Sequence, residues 1–359
     1  MKILHVITSL YTGGAETLVV NLMPRFKALG HDVGVVVFNG EHTPLMERLE
    51  KECPDCRIYR LGNSYYNPWY IVKLIGIMRK YEIVHTHNTA PQFFAALAAK
   101  VLCSVVLVTT EHNTSNRRRD WRWYPRGIDR WMYNQYKEVI CISHQAESNL
   151  KASLDHCKAH IQTIFNGVDV LTFHSAKADS ILLNEKRSFT IVMVAGFRYQ
   201  KDQDTLIQAM SHLDKTQYEL WLVGDGERRR ILEDLVHEKQ LDSCVKFLGL
   251  RQNVAEILHA ADVVVMSSHF EGLSLSNIEG MSVDKPFIAS DVDGLREMTE
   301  GYGILFPHGD AKNLAEIIQQ LHDDNKYYQQ VADKCYERAR QFDISQMVRQ
   351  YNDVYLKLL

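Results

Sequence analysis

Two carboxylates, Glu271 and Glu279, stand eight positions apart in the run Glu271-Gly272-Leu273-Ser274-Leu275-Ser276-Asn277-Ile278-Glu279. The run follows an apolar stretch at 263–267 and continues with helical spacing through Ile278, Met281 and Val283, so the acids bracket a helix start. Unpaired backbone amides and partial positive charge at a helix N-terminus suit a phosphate. Gly272, Leu273, Ser274, Leu275 and Ser276 are therefore candidate phosphate-side positions. The flanking acids can accept hydrogen bonds from hydroxyls on either side of that phosphate, which is the layout of a nucleotide sugar. Spacing alone leaves the plainer alternative open: a capping Glu followed by an unrelated helical Glu.

Other chemistry-bearing clusters are weaker. Gly13-Gly14 lies between a first apolar run and a helix-patterned segment carrying Leu18, Val19, Leu22 and Phe26. Bare glycines there let a phosphate or sugar approach the backbone, or simply make a tight turn. Pro24 is expected to kink that helix. His85-Thr86-His87 places two imidazoles on one strand face, either a metal pair or core packing with a cleft hydrogen bond; no third ligand is near in sequence. Asp291-Val292-Asp293 has the form of a metal-holding acidic triplet but falls after a late strand. Gly224-Asp225-Gly226 lacks the third glycine of a dinucleotide fingerprint and sits mid-chain, so hydride transfer is weakly supported. Cys53-Pro54-Asp55-Cys56 has no second pair at ligand distance. Nucleophile-elbow, zinc-protease and P-loop motifs do not occur.

The elements that must hold these residues show as short β-branched runs alternating with helix-patterned segments. One series falls at 3–8, 33–38, 58–61, 83–87, 105–110, 139–143 and 161–165. A polar stretch at 171–188 interrupts it, and a second series follows at 191–195, 220–223, 245–248, 263–267, 287–290 and 304–306. The fold class is α/β: two doubly wound, parallel-sheet domains facing a central cleft, since such sheets bind ligands at their strands' carboxyl ends. The expected boundaries are 1–172, 187–340 and a last helix at 341–359, with all of 311–359 helical by pattern. A chain of 359 residues with 46% hydrophobic and 24% charged composition suits two such cores. Its net charge of −3 gives no global pull toward nucleic acid. The N-terminus reads as a strand, not a signal peptide, and no uninterrupted apolar stretch is long enough to span a bilayer, which points to a cytoplasmic protein.

Several segments together resemble the retaining family-4 glycosyltransferases of GT-B fold. They are the Glu271 to Glu279 run with Gly280-Met281-Ser282 and 285–291, Gly13-Gly14-Ala15-Glu16, Asn166-Gly167-Val168-Asp169, Phe197-Arg198-Tyr199-Gln200-Lys201-Asp202, and Val223-Gly224-Asp225-Gly226. The resemblance covers residues 1 to about 310. It implies that Glu279 binds the ribose of the donor and Glu271 the sugar hydroxyls, with Gly13, Gly14 and Gly224 among the donor-binding positions. It implies that Lys201, with Arg198, neutralises the leaving diphosphate, and that His112 lies against the donor sugar. The family usually carries an Arg where this chain has Gly196, and Arg198 is the substitute. Base contacts are expected near Leu250, Arg251 and Asn253, largely through backbone groups, and neither a metal nor another cofactor is expected.

The implied activity is sugar transfer from a nucleotide diphosphate sugar, a UDP-sugar favoured, to a hydroxyl of a lipid-linked or polysaccharide intermediate in cell-surface glycan synthesis. A GT-B-fold nucleotide-sugar epimerase or hydrolase and a non-catalytic nucleotide-sugar-binding scaffold are the alternatives. On the acceptor side, Arg117, Arg118 and Arg119 interleave with Trp121 and Trp123. That loop suits an anionic acceptor or the inner face of a membrane, held peripherally; a solvated loop with packed Trp rings is the plainer reading.

Overall fold

The computed structural model describes residues 1–11, 13–102, 105–112, 126–154, 156–186, 188–272 and 274–359, with the Arg126 side chain excepted. The chain divides into two compact units, Met1–Asn166 with Ser345–Leu359, and Gly167–Ile344.

In the N-terminal unit, β1 (Lys2–Ile7), β2 (Asp32–Asn39), β3 (Arg57–Gly62), β4 (Ile83–His87), β5 (Val106–Glu111), β6 (Glu138–Cys141) and β7 (His160–Thr163) form one parallel sheet in the order β3-β2-β1-β4-β5-β6-β7. Helices cover both faces, so the central strands are apolar runs instead of alternating ones; Ile3, Leu4, Val6, Ile7, Ile83 and Val84 are wholly buried. Three histidines interrupt that pattern, His5 on β1 and His85 and His87 on β4, and all are as buried as their apolar neighbours. The helix Gly14–Ala28 continues through Pro24 and seats Leu18, Val19, Leu22, Met23 and Phe26 in the core.

The C-terminal unit repeats the plan. β8 (Phe189–Val194), β9 (Tyr218–Val223), β10 (Val245–Gly249), β11 (Val263–Met266), β12 (Phe287–Ser290) and β13 (Ile304–Phe306) are parallel in the order β10-β9-β8-β11-β12-β13. Every apolar run read from the sequence is a strand, and the architecture is two parallel Rossmann-like sheets with helices. In each sheet the order reverses between two central strands, β1 and β4 or β8 and β11. Loops diverge there above the carboxyl edge and leave a crevice.

The polar stretch after β7 is folded onto the C-terminal unit. Asp169 caps the helix Val170–Ser175 by accepting from the Thr172 amide at 3.0 Å, and Asp179 caps Ser180–Glu185. The Phe173 carbonyl meets His259 Nε2 at 2.8 Å, and Asn253 Nδ2 donates to Asp179 at 2.8 Å. At the two ends of the C-terminal unit, Val168 bridges Asp343, donating to the Phe342 carbonyl and accepting from the Ile344 amide.

The region 311–359 is three helices, Ala311–Asp323, Asn325–Arg340 and Ile344–Leu358. On the last, Met347, Val348, Tyr351, Val354 and Tyr355 recur at helical spacing and are buried. Tyr355 Oη lies 2.5 Å from His85 Nδ1, and Tyr351 Oη lies 3.2 Å from Thr110 Oγ1, which fixes this helix on the N-terminal sheet. No helix of the described residues is long and apolar enough to cross a membrane.

Candidate functional site

In the C-terminal unit the loops leaving β8 and β11 are stitched together above the switch point. The β8 loop runs through Gly196 and Arg198 into a 3-10 turn, Tyr199–Lys201, and then to Asp202 in the left-handed region at φ +48°. Asp202 caps the next helix, accepting from the Thr205 amide at 3.3 Å and hydroxyl at 2.7 Å. Ser267, just past β11, donates to the Asp202 carbonyl at 2.7 Å; the His269 amide donates to the Gln200 carbonyl, and Gln200 Nε2 to that of Phe270.

This framework puts the Lys201 ammonium directly on Glu271, with side chains only 17% and 5% exposed. Ser268 donates to the same Glu271 oxygen at 3.0 Å, and Ser290 Oγ holds the Ser268 carbonyl at 2.6 Å. A buried pair braced in this way is oriented before any ligand arrives, and charge that develops near it meets a preset field. Arg198, by contrast, is exposed, and its side chain makes no hydrogen bond or ion pair among the described residues.

Two glycines keep these loops close. Gly224, at φ +138°, stands where a Cβ would lie 2.1 Å from the Ala195 carbonyl oxygen, and Gly294, at φ +84°, where it would lie 2.2 Å from that of Glu271. Either position admits no side chain without moving backbone.

Glu279 follows on the helix Leu275–Met281, whose N-cap Ser274 makes no side-chain cap. Leu275 is buried, while Gly272, Ser274 and Ser276 are partly exposed. Leu273 lies outside the described residues. The Glu279 carboxylate has no hydrogen bond or ion pair among the described residues, and burial pushes it up to about 7. It is a desolvated acceptor held open for donors such as hydroxyls. Asn277, wholly buried two residues earlier on the same helix, has neither side-chain amide atom paired among the described residues.

Past β10, Leu250 is exposed, Arg251 donates to the Leu248 carbonyl at 3.1 Å, and Asn253 is committed to Asp179. An open cavity lined by Phe189, Thr216 and His322 lies at the amino ends of β8 and β9, the opposite edge from these residues.

In the N-terminal unit, Gly13 precedes the helix Gly14–Ala28 with extended backbone, and the Glu16 carboxylate curls back against it. Asn88, at φ +67° past β4, reaches Glu16 at 3.4 Å, and burial raises the Glu16 carboxyl. His112 follows β5, half-buried, with Nε2 2.9 Å from His87 Nδ1. The strand register sets His5 beside His85, so the imidazole pair read from sequence gains a third ring from a neighbouring strand. Short-range spacing does not carry that contact. Arg117, Arg118, Arg119, Trp121 and Trp123 lie outside the described residues.

The remaining clusters are occupied. Asp291 pairs with Arg296 at 2.6 Å, and Cys53 and Cys56 are buried free thiols, with burial pushing Cys56 up to about 12. Thiols raised in this way are poor nucleophiles.

Comparison with known proteins fits this geometry. Residues 12–170 match the family model described as Glycosyltransferase Family 4, and residues 175–342 the one described as Glycosyl transferases group 1. The chain is 25% identical over 368 residues to N-acetyl-alpha-D-glucosaminyl L-malate synthase of Bacillus anthracis, covering 97% of this chain and 94% of that one. It is 26% identical over 310 residues to UDP-Gal:alpha-D-GlcNAc-diphosphoundecaprenol alpha-1,3-galactosyltransferase of Escherichia coli, covering 80% and 79%. Among solved structures, Anabaena Alr3699/HepE in complex with UDP-glucose superposes with a TM-score of 0.84 over all of both chains at 21% identity, a likeness of fold. With both halves matched in order and Rossmann-like sheets in each, the chain belongs to the family-4, group 1 glycosyltransferases of GT-B fold.

Proposed function

We propose that this glycosyltransferase moves a sugar, with retention of anomeric configuration, from a UDP-sugar to a hydroxyl of a lipid-linked or polysaccharide intermediate in cell-surface glycan synthesis. The observation that carries the reading is the pairing, on one sheet edge, of an unpartnered, burial-raised Glu279 with the braced Lys201–Glu271 pair. Glu279 takes the ribose hydroxyls and releases the cost of its own desolvation when it does. Lys201 faces the β-phosphate as negative charge grows there, and Glu271 takes hydroxyls of the sugar. Arg198, its side chain free of partners among the described residues, supplies a second cation to the diphosphate. His112 meets the sugar from the N-terminal unit, with Gly13 and Gly14 contributing bare backbone.

The two relatives' names support the rest: one is a UDP-Gal transferase acting on a diphosphoundecaprenol-linked sugar, the other an N-acetylglucosaminyl malate synthase. We place the lipid-linked acceptor and peripheral contact with an anionic membrane on Arg117, Arg118, Arg119, Trp121 and Trp123, and propose that donor binding needs no metal. The test is incubation with a panel of UDP-, GDP- and ADP-sugars in EDTA, with and without lipid-linked glycan acceptors. The expected result is acceptor-dependent release of UDP and a product whose anomeric proton coupling matches the donor's. Release of UDP without acceptor, or inversion, overturns the reading.

A further inference from the structure

His5, His87 and His112 form one continuous chain of imidazoles inside the N-terminal unit. His5 Nδ1 and His87 Nε2 are 2.9 Å apart, and His87 Nδ1 and His112 Nε2 are again 2.9 Å apart. In both links the ring centres stay 5.2 Å apart, so the rings meet end to end, nitrogen to nitrogen, and His5 and His87 are within 14° of coplanar. This is the geometry of an N–H···N hydrogen bond. A metal shared by His5 and His87 needs bonds of about 2.0–2.1 Å to each nitrogen, which spreads the nitrogens wider than the observed link at tetrahedral angles. His85 stands outside the chain: it stacks on His87 at 4.6 Å while Tyr355 and Thr110 satisfy its two nitrogens.

Each link carries one proton, so the chain has only two polarities, and its inner end decides between them. His5 Nε2 is buried with no partner among the described residues. A proton there leaves an orphaned N–H, which buried protein tolerates less readily than an unused acceptor. The proton therefore sits on His5 Nδ1 and is donated to His87 Nε2. His87 in turn carries its proton on Nδ1 and donates to His112 Nε2. His112 is left with its proton on Nδ1, the nitrogen that has no partner among the described residues.

We infer that His5 and His87 are positioning residues that fix His112 as the Nδ1–H tautomer, so that it meets the nucleotide-sugar donor as a hydrogen-bond donor to an oxygen and not as a base. The inference rests on the reading that His112 faces that donor. Burial keeps the chain uncharged, lowering His5 to about 3 and His112 to about 4, with His87 well below its usual value. Besides burial, the causes that lower His85 and His87 are the neighbouring imidazoles, each of which opposes a second proton.

The test is a long-range proton–nitrogen correlation spectrum of the full-length protein labelled with 15N-histidine, assigned by single replacement of each ring. The expected result is Nδ1–H for His5, His87 and His112 alike, from pH 6 to pH 8.5. An Nε2–H signal for His112 overturns the inference, and needs no variant to be seen. In His5→Phe, which fills the space without donating, His112 is expected to lose its single tautomer and kcat to fall about ten-fold with the donor KM within two-fold. His5→Asn, whose side-chain amide lies near the position of Nδ1–H, is expected to restore both. A fall in kcat with the His112 tautomer unchanged means His5 only packs, which also overturns the inference. Three Nδ1–H rings in a protein that turns over no nucleotide sugar leave the chain intact and reject the proposed function instead.

Discussion

Glu279 pays for its burial in the free protein: with its carboxyl up to about 7 against an unfolded value of 4.5, folding favours its protonated form. Stability from this group is full below the unfolded value and is lost as pH rises through 7. Glu279→Gln is accordingly expected to raise the melting temperature at pH 8 by about 2–4 °C, the shift of roughly 1 kcal/mol in a chain of this class, while nucleotide binding is lost; a melting temperature below wild type at pH 8 contradicts this. Lys201 and Glu271 are expected to act on the step itself. Lys201→Ala should lower kcat by about 10²–10³ with a smaller change in donor KM, in line with removal of a preorganised electrostatic partner, and equal kcat at saturating donor contradicts the assignment. Glu271 and Glu279 stand out in the sequence because they share one contiguous run, whereas Lys201 lies seventy residues before Glu271 and is singled out only through the family resemblance. Ser268, which orients Glu271, was not legible there, because its contact depends on how the loop after β11 folds back on itself, and His5, which joins His87, was not, because that contact arises only when β1 and β4 come into register.

Among elements, the strand-to-helix loops carry the site, and their closeness depends on residues with no chemistry of their own. Gly294 lets the loop after β12 lie on the Glu271 carbonyl. Gly294→Ala is expected to cost about 1–3 kcal/mol for the strained backbone and displaced loop, read as a lower melting temperature, and to lower kcat alongside; wild-type values for both mean the loops are not coupled there. The strands themselves were readable to within a residue or two, because a sheet covered on both faces needs unbroken apolar runs. The stretch 171–188 was not: its polarity suggested only a break between the two strand series, yet Asp179 is polar because it caps the helix Ser180–Glu185, and the apolar Leu182 is buried. Capping residues and linker residues share a composition, and only the tertiary partners separate them.

For the whole molecule, the two-sheet plan follows from the repeated strand rhythm, whereas the histidine cluster changes how the fold responds to acid. His5, His85, His87 and His112 are all held below their ordinary value of 6.5 by burial. The unfolded chain therefore binds more protons than the folded one once pH falls below 6.5, and stability is lost from there down toward the folded values. Each such imidazole steepens the loss by up to about 1.4 kcal/mol per pH unit. Urea unfolding at pH 7, 6 and 5 is expected to show a steep fall for wild type and a shallower one for His5→Asn; parallel curves contradict the buried, neutral assignment.

The central claim is that a nucleoside diphosphate binds at the carboxyl edge of the second sheet through Glu279. The direct measurement is a thermal-shift titration with UDP, GDP and ADP in EDTA on wild type and Glu279→Gln. UDP at a hundred times its dissociation constant is expected to stabilise the wild type by about 2.7 kcal/mol, and to leave Glu279→Gln unshifted. A shift of equal size in both proteins, or none with any nucleotide, contradicts the account.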